Sequence, residues 1–414
     1  MANIKRNLMY STVLTMSTYL VPLIVFPYIS RILGVEGIGI VDTVDNMIDY
    51  CILFSMMGLS SVGVREIAKN KDNPRALSQT FTDLFALNLC STLLIAVFLF
   101  VQTKADVVTY YALFVGITVG NAVCNWYHKR SYLHWDIRRA NIRRFLVPFF
   151  MLGVFAMLSA VYSKLSLPVL NFLTNNQEAG NFATATRVYR VVIALISTLT
   201  GVMIPRMSVL MEEDRFDMVR HYTDVAFKLL FMFAFPLICF VELFAPDIIC
   251  LFAGSGFEGA ILPMRITMFQ LLVIGSEKII VLQLLIPLRK DRTIVKAGIA
   301  GVIVWGALTF LIVPCLQSVG TSLVWVAAET VVLIIATMES RRSLSISFPF
   351  RLLLKSVLWA IPYLLVGIAI LFVTDAPILR ILCSILLFGA YAMYLEDKVY
   401  QTGILKALKK IFSK

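Results

Sequence analysis

The chain alternates long apolar runs with short polar interruptions. With about 20 residues taken as the length that crosses a bilayer, twelve apolar segments stand out. They run approximately 9–30, 38–60, 81–102, 107–127, 145–168, 181–204, 222–250, 261–287, 296–316, 319–338, 352–373 and 377–395. Each is predicted to be a membrane-spanning helix, because a helix satisfies all its backbone polar groups within one segment. Proline and glycine interrupt several of the runs, as spanning helices tolerate. The pattern therefore predicts an all-α, polytopic membrane protein of about twelve transmembrane helices.

Composition agrees: of 414 residues, 59% are hydrophobic and 15% charged, against about 45–50% and 25% in soluble domains. The net charge of +12 raises nucleic acid as a partner, but the cations lie between apolar runs, so their placement reports topology instead. With the N-terminus in the cytoplasm, the cytoplasmic loops and tail hold 28 of the 37 lysines and arginines, while the opposite loops hold Arg31, Lys104 and Lys164. An even number of spans with both termini cytoplasmic satisfies every loop. The stretch Lys129–Arg144 mixes six cations with Tyr132, Trp135 and Ile142. Between two spans it reads as an amphipathic segment on anionic membrane lipid, and the terminal KALKKIFSK reads the same way. No nucleic-acid partner is expected.

Catalytic chemistry finds no footing. The chain has no Gly-rich phosphate loop, HExxH, nucleophile elbow or kinase signature, and Gly254-Ser255-Gly256 is a turn between spans. Seven cysteines sit inside apolar runs without metal spacing, as small buried hydrophobes. The start, MANIKRN, leads into an apolar run without a small-residue cleavage pattern, so an uncleaved first span is expected. Neither an enzyme nor a cofactor is expected.

The informative residues are charges inside spans. Asp42, Asp45 and Asp49 lie at i, i+3 and i+7 of the second run and share one helical face. Intramembrane carboxylates are costly and usually face a bundle interior or a wet cavity. The competing reading lays the segment in the interface. Arg187 and Arg190, at i and i+3, form a basic counterpart in the sixth run. Setting Glu36 against Glu178 aligns residues 33–50 with 175–192 at an offset of 142 and matches Asp45 to Arg187. This suggests a pseudo-repeat presenting an acidic and a basic helix at similar depth across a shared cavity, a common transporter plan. Arg265 and Lys278 read equally as cavity cations or as members of structural ion pairs. Lys228, Asp247 and Arg380 read as snorkelling side chains. Glu277 and Lys278, adjacent in sequence, point about 100° apart and do not pair with each other.

The runs PLIVFPYISRILGVEGIGIVDTVDN (22–46), MGLSSVGVREIAKNKD (57–72) and AVYSKLSLPVLNFLTNNQEAGNFATATRVYRVVIALISTLTGVMIPRMS (160–208) resemble the polysaccharide-repeat-unit flippases. These are O-antigen translocases of the multidrug/oligosaccharidyl-lipid/polysaccharide exporter superfamily. The resemblance is specific at 20–75 and 160–208 and only hydropathic beyond about 225. It implies a two-lobed exporter bundle. The lobes would be 1–128 (four helices, two fewer than the family usually has), 129–340 (six helices) and 341–414 (a terminal helix pair with a basic tail). The departure falls between Arg75 and Asn125, where the family's fourth and fifth helices have no counterpart.

The resemblance also implies a function, the translocation of an undecaprenyl-diphosphate-linked oligosaccharide across the bacterial inner membrane for O-antigen and lipopolysaccharide biosynthesis. A polysaccharide polymerase and a chain-length regulator would be its partners. The residues suit that chemistry. Arg187, Arg190, Arg265, Lys278 and, at the outer mouth, Arg31 are candidates for holding phosphate or acidic sugar. Asp42, Asp45 and Asp49 are candidates for a coupling proton or sodium ion, since like charges on one face favour uptake of a positive one. The alternatives are a cation-coupled multidrug exporter, which the basic stripe argues against, and a membrane polymerase or acyltransferase, for which no catalytic constellation is present.

Overall fold

A computed structural model describes residues 25–50, 153–154, 157–158 and 160–400, apart from the side chains of 195–202, 204 and 205. The expected spans at 81–102 and 107–127, the Lys129–Arg144 segment, the missing pair of family helices and the basic tail lie outside the described residues. Among those described there is no strand.

Helix α1 covers 25–50, but Gly34 within it has φ +65°. That left-handed residue, which glycine adopts without cost, breaks the helix where the sequence separates its first two spans. A π-helical turn, Val161–Leu165, leads into α2 (Ser166–Leu173). Thr174 then closes α2 by donating its N–H and hydroxyl to the Leu170 carbonyl at 2.9 and 2.7 Å. Asn175 starts α3 (Asn176–Glu212) as N-cap, its side chain accepting from the Glu178 N–H at 2.9 Å. Next come α4 (Phe216–Phe252), a 3-10 turn Glu258–Ala260, α5 (Ile261–Met268), α6 (Gln270–Ile280) and a π-helical turn Val281–Leu285. Three long helices follow: α7 (Asp291–Leu344), α8 (Phe350–Val373) and α9 (Pro377–Leu395).

At 54 residues, a straight α7 would be about 80 Å long, far more than a bilayer of roughly 30 Å requires. It folds back at Gln317 (φ 52°, ψ −127°). The return is visible at its ends, where Lys290 Nζ and Glu339 Oε1 meet at 3.0 Å. The expected spans 296–316 and 319–338 are the two arms of this hairpin. The runs 181–204, 222–250, 261–287, 352–373 and 377–395 likewise fall on α3, α4, α5–α6, α8 and α9. Five described elements are long and apolar enough to cross a membrane: Phe216–Phe252, Glu258–Leu285, Asp291–Leu344, Phe350–Val373 and Pro377–Tyr400.

The chain divides into two compact units, Met1–Asn46 with Leu165–Lys414, and Met47–Lys164. In the first unit the turns sort to two ends. One end gathers Gly34, Asn175, Gly254 and Gln317. Arg31 donates to the Leu251 carbonyl at 2.9 Å there, and Ser318 donates its N–H (3.2 Å) and hydroxyl (2.5 Å) to Glu178. The other end is sealed by Met207, Leu210, Val219, Leu284 and Leu344 and carries Arg206, Arg215, Arg220, Arg289, Lys290, Arg341 and Arg342. This lopsided placement of cations is the one the sequence uses for topology. Helices α8 and α9 pack against α4 and leave Leu358, Leu365, Phe372 and Leu386 exposed, as side chains facing hydrocarbon would be.

Candidate functional site

The site begins where two backbones touch. A Cβ placed on Gly39 would stand 1.9 Å from the Asn176 carbonyl oxygen, and one on Gly180 would stand 1.9 Å from that of Val35. Glycine is required at both positions, and the contact brings α1 onto the first turn of α3. One turn beyond Gly39 along α1 comes Asp42, and two turns beyond Gly180 along α3 comes Arg187. Helical side chains lean toward their own N-terminus, so the long arginine reaches back toward the crossing. There Arg187 Nη2 meets Asp42 Oδ1 at 2.5 Å. Counted from Gly34 and Asn175, the two residues lie about 12 and 18 Å along their helices.

The pair is sheltered. Asp42 is 6% exposed, and its side chain faces the arginine from within the α1–α3 packing. The Arg187 guanidinium also lies 4.1 Å from the centroid of the Phe26 ring, a cation–π contact, and Phe26 in turn packs on Phe252 with centroids 5.1 Å apart. The Arg187 Nε is buried without a hydrogen-bond partner. Around the pair, Asn46 donates its amide to the Asp42 carbonyl at 2.7 Å, and Asn171 donates to the Thr43 hydroxyl at 3.1 Å.

The other sequence candidates are spread out. Asp45 is exposed on α1. Asp49 belongs to the second compact unit and forms an ion pair with Lys164, which lies in a π-helical turn rather than in a loop. The aspartates therefore do not gather into one cluster. Arg190 is half-buried on α3, one turn past Arg187. Arg265 of α5 faces Glu242 of α4, with Nε and Oε2 3.7 Å apart. Arg31 donates to two carbonyls, Pro27 at 2.6 Å and Leu251 at 2.9 Å. Lys278 is half-buried on α6 beside Glu277.

Glu277, a span charge for which the sequence supplied no partner, lies beside a second buried acid, Glu329 of α7. Both are buried, at 8% and 5% exposure, on the packed helices α6 and α7, close enough for each carboxyl to act on the other. Their sequence separation, and a hairpin whose turn contains no glycine, concealed this. Among the described residues, no group of three or more potential ligands forms a metal site.

Among the described residues, an all-helical bundle of long apolar elements with paired charges in its interior defines a multi-pass membrane protein. Comparison with solved structures agrees. The chain is similar to the lipid II flippase MurJ in an inward closed conformation, with a TM-score of 0.54 at 14% identity over 94% of this chain and 83% of that one. Residues 4–118 and 105–262 match two families, each described as polysaccharide biosynthesis protein. A putative O-antigen transporter of Escherichia coli (strain K12) is 24% identical over 182 residues, covering 43% of this chain and 40% of that relative. The match thus spans two-fifths of the relative's length. These findings agree with the resemblance read from the sequence: the matched families are of polysaccharide biosynthesis proteins, and the fold is similar to that of a lipid flippase.

Proposed function

We propose that the chain moves an undecaprenyl-diphosphate-linked oligosaccharide repeat unit from the cytoplasmic to the outer leaflet of a bacterial inner membrane. The lobes proposed are 1–128, 129–340 and 341–414, both termini are cytoplasmic, and a polymerase and a chain-length regulator act downstream. The observation that carries this reading is the Asp42–Arg187 pair, which joins α1 to α3 with its carboxylate buried and its guanidinium partly accessible. A pyrophosphate is the natural competitor for that arginine, since it offers the same planar, anionic oxygens as the carboxylate it would displace. In the cycle, substrate entry breaks the ion pair, Arg187 and Arg190 take the head group, and release restores Asp42 as partner. Arg31 must let go of the Leu251 carbonyl for the Gly34 end to open. Arg265 and Lys278 lie farther along the C-terminal lobe and serve the glycan part of the substrate.

The test uses D42N/R187Q, which removes both charges together and leaves no unpaired ion. Reconstituted in proteoliposomes, it should insert normally but translocate a labelled lipid-linked oligosaccharide at least about tenfold more slowly. That is the effect of losing one charge-assisted hydrogen bond of about 1.5–3 kcal/mol. Translocation at the wild-type rate would remove Arg187 from the substrate path. Extrusion of cationic dyes by a protein that fails to move glycolipid would favour the multidrug reading.

A further inference from the structure

The Asp42–Arg187 pair balances its own charge, but the second buried pair does not. Glu277 of α6 and Glu329 of α7 place two acids side by side in the buried interior, each with less than a tenth of its surface exposed. Two carboxylates this close do not both stay ionised without outside compensation. Lys278 supplies one positive charge nearby. From α3, the buried Tyr189 lies near both acids, with Arg190 next to it in the chain. α4 meets α6 through Leu230, whose side chain fills the space over Gly275.

A second observation points to a ligand. Glu329 Oε2 and the indole N–H of Trp325, one turn earlier on the same face of α7, are both buried without a well-aligned partner, and the indole is the donor nearest the carboxyl. Trp325 is 5% exposed, lies against the Glu329 carboxyl and packs edge-on against Tyr189 with centroids 5.4 Å apart. On α6, two turns before Glu277, both amide atoms of the fully buried Gln270 are unpartnered. The helix also switches to a π-helical turn at Val281–Leu285, just past Lys278, a distortion frequent at functional sites.

We propose that Glu277 and Glu329 hold one exchangeable proton, and that its uptake and release is the ion-coupling step of the transport cycle proposed above, on which that role rests. The surrounding chemistry selects a proton over a metal cation. Sodium needs several oxygen ligands around it, whereas the side chains beside this pair offer an indole N–H and a phenol hydroxyl, with the positive charge of Lys278 nearby. With the proton shared between the acids, the pair carries one negative charge, balanced by Lys278. Release breaks one O–H bond, sends the proton to water and leaves a second negative charge. The Trp325 N–H and the Tyr189 hydroxyl stabilise it, and it attracts Arg190. Arg190 and Tyr189 lie on the helix that carries Arg187, so the charge of the acid pair biases α3, the element whose arginine holds Asp42. The site thereby places coupling in the C-terminal lobe, away from the aspartates of α1.

The measurement is infrared spectroscopy of the full chain in lipid nanodiscs as a function of pH. A carbonyl band from a protonated carboxyl should titrate reversibly, vanish in both E277Q and E329Q, and stay where it is when sodium replaces choline in the buffer. A band that is absent, that never titrates while the protein stays folded, or that is erased by sodium would overturn the proposal. Should the glutamine variants fail to fold, W325F provides the check. Loss of the N–H donor should shift the midpoint to higher pH, and an unchanged midpoint would overturn the assignment. Proteoliposome transport separates this inference from the reading it builds on. A titrating pair in a protein that moves no glycolipid would leave the proton site and remove the flippase. Flipping in E329Q that remains driven by a proton gradient would keep the flippase and remove the coupling role.

Discussion

Two charged sites lie in the interior of the same bundle and behave as opposites. At the α1–α3 crossing, Asp42 and Arg187 cancel, and the result is a fixed contact that holds two helices in register. At the α6–α7 interface, Glu277 and Glu329 have like charge and depend on something brought from outside to become stable neighbours. The first site is closed by the protein itself and must be broken to work. The second is open to a proton and needs only to exchange it. The proposed transport cycle uses both kinds: a latch that holds a conformation, and a sensor whose charge changes.

The comparison is broken most directly at the latch. R187Q alone leaves Asp42 ionised and unpaired in the bundle, a loss of about 3–5 kcal/mol when one member of a buried pair is removed. D42N alone should cost less, because a quarter of the Arg187 side chain is accessible, against 8% of that of Asp42, so the arginine can reach solvent. The double variant D42N/R187Q should recover most of the loss. Thermal unfolding in detergent across this cycle measures the coupling, and a loss in the double variant equal to the sum of the two single losses would mean that the two residues do not act on each other. E277Q should show the opposite sign of behaviour. Replacing one of two like-charged acids with a neutral isostere removes repulsion, so stability should hold or rise while proton exchange is lost.

A smaller effect is expected at the crossing itself. G180V places branched carbons where the Val35 carbonyl already sits, and forcing extra volume into such a contact costs about 1–3 kcal/mol. The helices would separate and the Asp42–Arg187 distance would grow, so G180V should weaken the latch without removing a charge. A melting temperature equal to wild type would show that α1 and α3 do not touch at Gly39 and Gly180.

Much of this fold was legible because hydropathy and turn chemistry agree. Seven expected spans fall on described helical segments from α3 to α9, and the break between the first two spans falls at a glycine. The basic stripe on α3 and the acid at Asp42 were also readable as costly residues in apolar runs. What the sequence could not supply was which charges meet. Aligning the repeats matches Asp45 to Arg187, yet residues related by a repeat are equivalent and need not touch. Contact is set by the crossing at Gly39 and Gly180, and from there the arginine reaches Asp42. For Glu277 and Glu329, neither periodicity nor spacing says that the second arm of α7 lays position 329 against α6.

The smallest predicted change concerns the turn that makes that meeting happen. Gln317 holds φ 52° and ψ −127°, a combination that suits glycine and strains any residue with a Cβ, at a cost of about 1–3 kcal/mol. Its side chain is exposed. Q317G should relieve that strain while adding about 0.5–1 kcal/mol of backbone entropy to the unfolded chain, for a net gain of about 1 kcal/mol. A slightly higher melting temperature with an unchanged infrared titration would show that the hairpin turn fixes the arms of α7 without tuning the acid pair. A lower melting temperature would mean that Gln317 makes a contribution its exposure does not suggest. A shifted titration would tie the turn to the proton site, because the direct route from Gln317 to Glu329 is the three helical turns between them.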